Sequence, residues 1–416
     1  MALIGLCDVN AMFASCAALE DPSLQGQPVL VAGDPKDRRS IVLTASYEAR
    51  AFGVRTAMPV GMALRLCPTA RIVPPDHALY RRYSHLLFET LQEFTPVVAP
   101  VSIDEAFMDL TGCPGLAEGP LAFGAAIRAR VLEAVGLTVA VGLAPGRWLA
   151  KMAADLAKRR TEGVLILGPG DLRQEIWPLP VEAFYGVGPK TAERLRALGI
   201  RTIGQIAQSE ALAALGRQGE ELRRLALGDD PSPVEADGPT KSISHELTFS
   251  RDVHRPDELR GVLLGLSDQV AYRLRRAGLY AGSVTLRLKN SRFQSFTRQA
   301  ALPAPSQHSD ALFTLALDLM TRMPHAAFPA RLAGVAAGGL GEAAAQAPPL
   351  FPDPEAERRE RLADTVTALR ARYGEGAVLP LETLGSAAAE SYDKRRHGTS
   401  FEKPDRQKRP KGRPEE

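Results

Sequence analysis

The chain is predicted to be an α+β protein of several domains, and three features predict it. Its 416 residues, 45% hydrophobic and 24% charged, have the composition of an ordinary folded protein and are enough for two to four domains at roughly 100 to 200 residues each. Short apolar runs alternate with amphipathic helices over residues 1–165, as in a small sheet covered by helices. Beyond a Gly-x-Gly helical segment, the order strand–helix–strand occurs twice over residues 241–341, which suits a four-stranded βαββαβ sheet backed by two helices.

Taken in order, Ala2 to Cys7 is uniformly apolar, as a strand buried on both faces would be, and Asp8 stands where that strand should end. A short helical stretch runs to Leu19, followed by turn residues Pro22, Gly26 and Pro28, and Pro28 to Gly33 reads as a second strand. Ser40 to Thr44 alternates like a strand, whereas Tyr47 to Phe52 reads as a helix closed by Gly53. An amphipathic helix is expected from His77 to Phe94, with Leu79, Tyr83, Leu86, Leu87, Thr90 and Leu91 inward. Pro100 to Thr111 reads as two short strands with Asp104 and Glu105 at the turn between them. A helix from Leu121 to Val135, a strand from Leu137 to Leu143 and a helix from Arg147 to Lys158 follow.

Gly186-x-Gly188 precedes Pro189, a favoured first helical residue, and the helix it opens should end at Gly199. This is the helix-hairpin-helix pattern. Its glycines let backbone N–H groups approach a nucleic-acid phosphate, while Lys190 and Arg194 add charge without reading sequence. After a proline-rich linker at Gly228 to Pro239, strands are expected at Ser242 to Phe249, Leu279 to Leu288, Ser295 to Leu302 and near Arg331. The helices between them fall at Pro256 to Ala277 and Ser309 to Met323. From Glu342 onward Ala, Pro, Glu and Arg dominate, and this tail is expected to be largely disordered apart from one helix at Arg358 to Arg372.

Charge and cysteine usage narrow the function classes. The net charge of +3 is small, but residues 240–345 carry thirteen basic side chains against eight acidic ones, among them Arg287, Lys289 and Arg292, so this module can sit on phosphate. The four cysteines form no CxxC pair, which argues against zinc and for reduced thiols in the cytoplasm. No basic region precedes the N-terminal apolar run, and no run approaches the roughly 18 apolar residues that span a bilayer, so neither secretion nor membrane insertion is expected.

The chemistry points to carboxylates. A tight two-residue turn ordinarily favours Asn-Gly or Asp-Gly, so an Asp-Glu pair at 104–105 is unusual there. Taken alone it could simply be solvated, but Asp8 at the end of another strand gives a third carboxylate able to converge on a divalent cation. Tyr47 and Arg50 share a helix face and make either a surface pair or a clamp for a triphosphate, whose oxygens match the guanidinium fork, with Thr44 close by. Lys151 is a further candidate phosphate ligand, although one lysine on one helix is usually solvated.

Five segments together resemble the Y-family DNA polymerases, the translesion enzymes of the bacterial polymerase IV type: DVNAMFASC at 8–16, TASYEAR at 44–50, SIDEAF at 102–107, GLAPGRWLAKMAAD at 142–155 and the Gly186 hairpin. The resemblance covers about residues 1–341. It implies a right-hand polymerase with a ferredoxin-like palm (1–10 and 76–165), small fingers (11–75), a helix-hairpin-helix thumb (166–229), a linker (230–240), a little-finger domain (241–341) and the tail (342–416). It also implies two Mg2+ ions on Asp8, Asp104, Glu105 and the carbonyl of Val9, with Thr44, Tyr47, Arg50 and Lys151 on the triphosphate. Phe13 falls at the steric gate that excludes a 2′-hydroxyl. Gly186, Gly188, Lys190, Lys241, Arg287, Lys289 and Arg292 would hold DNA. Gln346, Leu350 and Phe351 resemble the peptide that docks such enzymes on a sliding clamp. The implied partners are primer-template DNA and deoxynucleoside triphosphates, and the implied state is a monomer. Asn10 departs from the pattern, since most polymerase IV relatives carry an acid there and the polymerase V branch an Asn. The alternative is a non-catalytic polymerase-like scaffold, but such relatives are expected to lose the three acids, which are present here.

Overall fold

The computed structural model describes residues 2–37, 39–235, 238–342, 354–384 and 386–387, and the chain divides at residues 237/238 into two units with separate cores. The first unit contains, in order, β1 (Ile4–Val9), α1 (Met12–Glu20), β2 (Val29–Ala32), β3 (Val42–Ala45), α2 (Tyr47–Ala51), α3 (Val60–Leu66), β4 (Arg71–Val73), α4 (His77–Gln92), β5 (Val98–Pro100) and β6 (Glu105–Asp109). It continues with α5 (Pro120–Val135), β7 (Val139–Ala144), α6 (Arg147–Ala157), β8 (Val164–Ile166), α7 (Pro189–Ala197), α8 (Ile203–Gln208) and α9 (Arg217–Ala226).

The N-terminal apolar run is uniformly buried because β1 is the middle strand of a five-stranded sheet, ordered β5-β6-β1-β7-β8, and both of its neighbours are antiparallel to it. Cys7 and Val9 pack with Tyr80, Leu87 and Phe88 of α4 and Ile127 of α5, whereas Ile4 and Leu6 pack with Ala150 and Ala154 of α6. Two-residue alternation therefore turns Asp8 toward α6, on the same side as Leu6. Gly142 of β7 sets how close α6 can come, since a Cβ there would lie 2.2 Å from both the Ala150 carbonyl oxygen and the Ala154 nitrogen. A second sheet, ordered β3-β2-β4, packs its own small core against α2 and α3, with Leu30, Val42, Ala49 and Ala63 buried. Its edge strand β4 is only three residues long, too short to leave a sequence period.

Two expectations need correction in this unit. The acidic pair is not a two-residue turn: β5 ends at Pro100, residues 101–104 form the connection, and Glu105 opens β6. The Glu105 carbonyl accepts from Val101 N–H at 2.9 Å and from Ser102 N–H at 3.3 Å, which folds the connection back on the strand. On α4 the buried face is Tyr80, Tyr83, Ser84, Leu87, Phe88, Thr90 and Leu91, while Leu86 is 40% exposed. The 80–84–87–91 stripe has helical spacing, and Leu86 falls off it.

The second unit contains β9 (Ser242–Val253), α10 (Arg260–Ala277), β10 (Leu279–Asn290), β11 (Ser295–Ser306), α11 (Ser309–Thr321), β12 (Ala330–Gly338), β13 (Gly341–Glu342) and α12 (Pro354–Tyr373). Its sheet runs β11-β10-β12-β9, all antiparallel, in the expected βαββαβ order. Leu286 and Leu288 of β10 are buried with Leu263, Leu266 and Leu312 of the two helices, so alternation leaves Arg287 and Lys289 on the opposite face. The tail departs from expectation, because α12 is longer than the 358–372 helix and is docked. Arg370 of α12, with its side chain 3% exposed, pairs with Asp268 of α10 at 2.8 Å and donates to the Val378 carbonyl. Arg275 of α10 pairs with Glu360 and Asp364 at 2.6 Å each. Among the described residues, no helix is long and apolar enough to cross a membrane.

Candidate active site

The three sequence-selected carboxylates meet where β1 and β6 end. Asp8 is the register partner of Glu105, and the Asp104 carbonyl accepts from Val9 N–H at 2.9 Å, so the pairing of two strands brings them together. Helix α6 lies over them and supplies cations. Lys151 Nζ donates to Asp8 Oδ2 at 3.0 Å, Glu105 Oε2 at 2.8 Å and Asp155 Oδ1 at 3.1 Å. Lys158, directly after α6, donates from Nζ to the same Asp8 Oδ2 at 2.6 Å and lies 3.7 Å from Asp155 Oδ1. The two lysines are seven residues apart and so share a helix face. Asp104 is bonded to Ser102 instead.

Burial governs the electrostatics. It pushes the Asp104 carboxyl above its ordinary range, with Asp8 adding to the rise and the Ser102 hydrogen bond opposing it. Burial likewise raises Glu105, against the pull of Lys151. For Lys151, burial alone would favour the neutral amine, but Asp8, Glu105 and Asp155 outweigh it and hold the ammonium well above the usual lysine range. Cys7, fully enclosed beside Asp8, has its thiol raised by burial and is inert.

A divalent cation fits this donor set by chemistry, since carboxylate oxygens are hard ligands that suit Mg2+ or Ca2+. Among the described residues no three acidic, histidine or cysteine groups are drawn together as a metal would hold them, and the oxygens of Asp8 and Glu105 are turned onto lysine ammonium groups. Val9 is buried at the end of β1.

The candidates on α2 reach the end of β1 through Asn10. Tyr47, at the start of α2, donates from its hydroxyl to Asn10 Oδ1 at 3.3 Å, and Asn10 Nδ2 donates to Thr138 Oγ1 at 3.3 Å. The Arg50 guanidinium lies 5.1 Å from the Tyr47 ring centroid and donates from Nε to the Ala45 carbonyl at 3.0 Å, which leaves the exposed side chain braced beside the phenol. Ser46 caps α2 by accepting from Ala49 N–H, and Thr44 lies half-buried on β3 just before it. Phe13 on α1 stacks on Tyr80 with ring centroids 4.0 Å apart, and His77 meets it edge-on at 6.1 Å.

The remaining candidates lie elsewhere. Gly186 has φ 101°, a conformation that favours glycine, and Gly188 is the N-cap of α7, followed by exposed Lys190. In the second unit, Arg287 pairs with Glu246 across Gly334 at 3.1 Å, and Lys289 lies 5.9 Å from the Phe293 ring centroid. Lys241 and Arg292 are exposed. Gln346, Leu350 and Phe351 lie outside the described residues. Sequence reading missed Lys158, Asp155 and Tyr80. The first two had a signal in the helical spacing of 151, 155 and 158, whereas Tyr80 required knowing that α4 faces α1.

Family models match three stretches of the chain. The impB/mucB/samB family matches residues 7–155, its C-terminal domain residues 240–349, and its helix-hairpin-helix motif residues 169–200. The DNA polymerase IV of Moorella thermoacetica is 38% identical over 379 residues, covering 90% of this chain and 94% of that protein. That of Desulfatibacillum aliphaticivorans is 37% identical over 387 residues, covering 92% and 96%. A solved Y-family DNA polymerase chimera of Dbh and Dpo4 shares the fold with a TM-score of 0.71 at 23% identity, covering 82% of this chain and 99% of that one.

Proposed function

Because this chain belongs to the bacterial DNA polymerase IV group of the Y family, we infer that its carboxylate cluster is the centre of template-directed nucleotide addition. The protein is a DNA-directed DNA polymerase that copies past damaged bases, error-prone and without proofreading, and its substrates are primer-template DNA and deoxynucleoside triphosphates. The observation that carries the site assignment is the meeting of Asp8, Asp104 and Glu105 at the ends of paired strands. Y-family polymerases depend on divalent metal. Two Mg2+ ions are the proposed occupants here, with Asp8, Asp104, Glu105 and the Val9 carbonyl as ligands. Bound there, they would acidify the attacking hydroxyl and neutralise charge on the leaving pyrophosphate.

The chain's own residues do the rest. Arg50 and Tyr47 present a guanidinium fork and a phenol to the triphosphate, Thr44 adds a hydroxyl, and Lys151 brings positive charge from α6. Phe13, held flat by Tyr80, occupies the space under the sugar at C2′. The proposed division is palm 1–10 and 76–165, fingers 11–75, thumb 166–229 and little finger 241–341. Gly186, Gly188, Lys190, Lys241, Arg287, Lys289 and Arg292 bind backbone phosphates without reading bases. A monomer in the cytoplasm belongs to the same proposal, and the free cysteines at 7, 16, 67 and 113 suit a reducing compartment. Clamp docking through Gln346, Leu350 and Phe351 is tested by the Leu350→Ala, Phe351→Ala double variant, which should keep basal addition and lose stimulation by a loaded clamp. Primer extension with Mg2+ tests the centre: Asp104→Ala should stop addition while leaving DNA affinity intact, and extension near the wild-type rate would refute the ligand assignment.

A further inference from the structure

The geometry points to Lys158 as a resident cation that holds Asp8 until a divalent ion displaces it, and so sets the metal concentration at which the site fills. This rests on the reading of Asp8, Asp104 and Glu105 as cation ligands. The two lysines on Asp8 are not equivalent. Lys151 has three N–H donors and three carboxylate acceptors within 3.1 Å, so it is fully satisfied and stays anchored by Glu105 and Asp155 even without Asp8. Lys158 has Asp8 at 2.6 Å, Asp155 is beyond hydrogen-bond distance at 3.7 Å, and Asp104 feels its charge only through space.

Lys158 is also the one able to leave. Its side chain is 28% exposed against 11% for Lys151, and it sits at the C-terminal end of α6 on a flexible four-carbon stem. A divalent ion taking Asp8 Oδ2 must part that oxygen from both ammonium groups, since like charges a few ångströms apart repel strongly in a half-buried site; Lys151 keeps Glu105 and Asp155, whereas Lys158 loses its hydrogen-bonded carboxylate. The cluster can accept the ion because Asp8, Asp104, Glu105 and Asp155 outnumber the two lysines. Metal binding therefore frees Lys158 from Asp8 altogether, and the apparent affinity is lowered by the charge-assisted hydrogen bonds to Asp8 that must first break.

Mn2+ binding to the full chain, without DNA or nucleotide, tests this through the loss of the free-ion electron paramagnetic resonance signal. The wild type should bind, Asp104→Ala should not, and Lys158→Met, which keeps the stem and removes the charge, should bind about tenfold more tightly. Equal or weaker binding by Lys158→Met, with Asp104→Ala still defective, overturns the displacement role alone. No binding by the wild type, or undiminished binding by Asp104→Ala, overturns the ligand reading and this inference with it. If Lys158→Met does not fold, the wild type decides. Amine-reactive labelling followed by peptide mass spectrometry should show Lys158 modified several-fold more in saturating Mn2+, and unchanged or reduced labelling overturns the displacement.

Discussion

Asp104 is half-enclosed, bonded to Ser102, and beyond salt-bridge distance of both lysines that hold Asp8. A carboxyl whose folded-state pKa is raised, as burial raises this one, costs stability above that pKa and costs nothing below the unfolded value near 3.8. The metal-free Asp104→Asn variant should therefore melt above the wild type at neutral pH. The gain should shrink to nothing as pH falls toward 3.8 in thermal unfolding followed by circular dichroism. A variant less stable than the wild type at neutral pH would mean that Asp104 is compensated in the metal-free protein. At Phe13 the outcome is one of space. Its ring is fixed by the Tyr80 stack, so Phe13→Ala should raise ribonucleotide incorporation about tenfold or more, the scale of a steric exclusion worth one to three kcal/mol. An unchanged preference for deoxynucleotides would take Phe13 out of the gate. The type and order of these residues were legible in the sequence. Their partners were not, because the hydrogen bond from Lys151 to Asp8 joins positions 143 residues apart.

Helix α6 lies against the central strands only because Gly142 has no side chain. Gly142→Ala would put a methyl group into the backbone of Ala150 and Ala154, and the helix must lift. Overpacking of this kind costs about 1–3 kcal/mol, and since α6 carries Lys151, the melting temperature should fall and the KM for nucleotide should rise together. A fall in stability with an unchanged KM would show that the lysine does not depend on the height of its helix. At this scale the long elements were legible, with β1 visible as an unbroken apolar run and α4, α5, α6 and the βαββαβ order as runs of helical or strand pattern. The three-residue β4 was too short for a period. The docking of helix α12 was missed for a different reason. Its ties to α10 are charged, through Glu360, Asp364 and the buried Arg370, and it leaves Leu362 and Tyr373 exposed at 64% and 63%. A reading that expects apolar faces to be buried therefore places such a segment in solvent.

For the molecule as a whole, the basic side chains of the second unit should act on DNA as charge and not as a code. Removing Lys241, Lys289 or Arg292 singly should weaken binding evenly across template sequences. It should also make the plot of log affinity against log salt shallower by about 0.9 for each duplex phosphate no longer neutralised. Fluorescence anisotropy over a salt series reads both quantities, and a weakening confined to particular sequences would contradict phosphate binding. The position of β1 in its sheet bears on how the molecule is made. It is synthesised well before the two strands it lies between, β6 and β7, which end at residues 109 and 144. At about 5–20 residues per second, the ribosome delivers both partners on the order of ten seconds after β1 itself. Throughout that interval an apolar strand with both edges unpaired waits on the nascent chain, so the strand that finally places Asp8 among its partners is also the one most dependent on protection during synthesis.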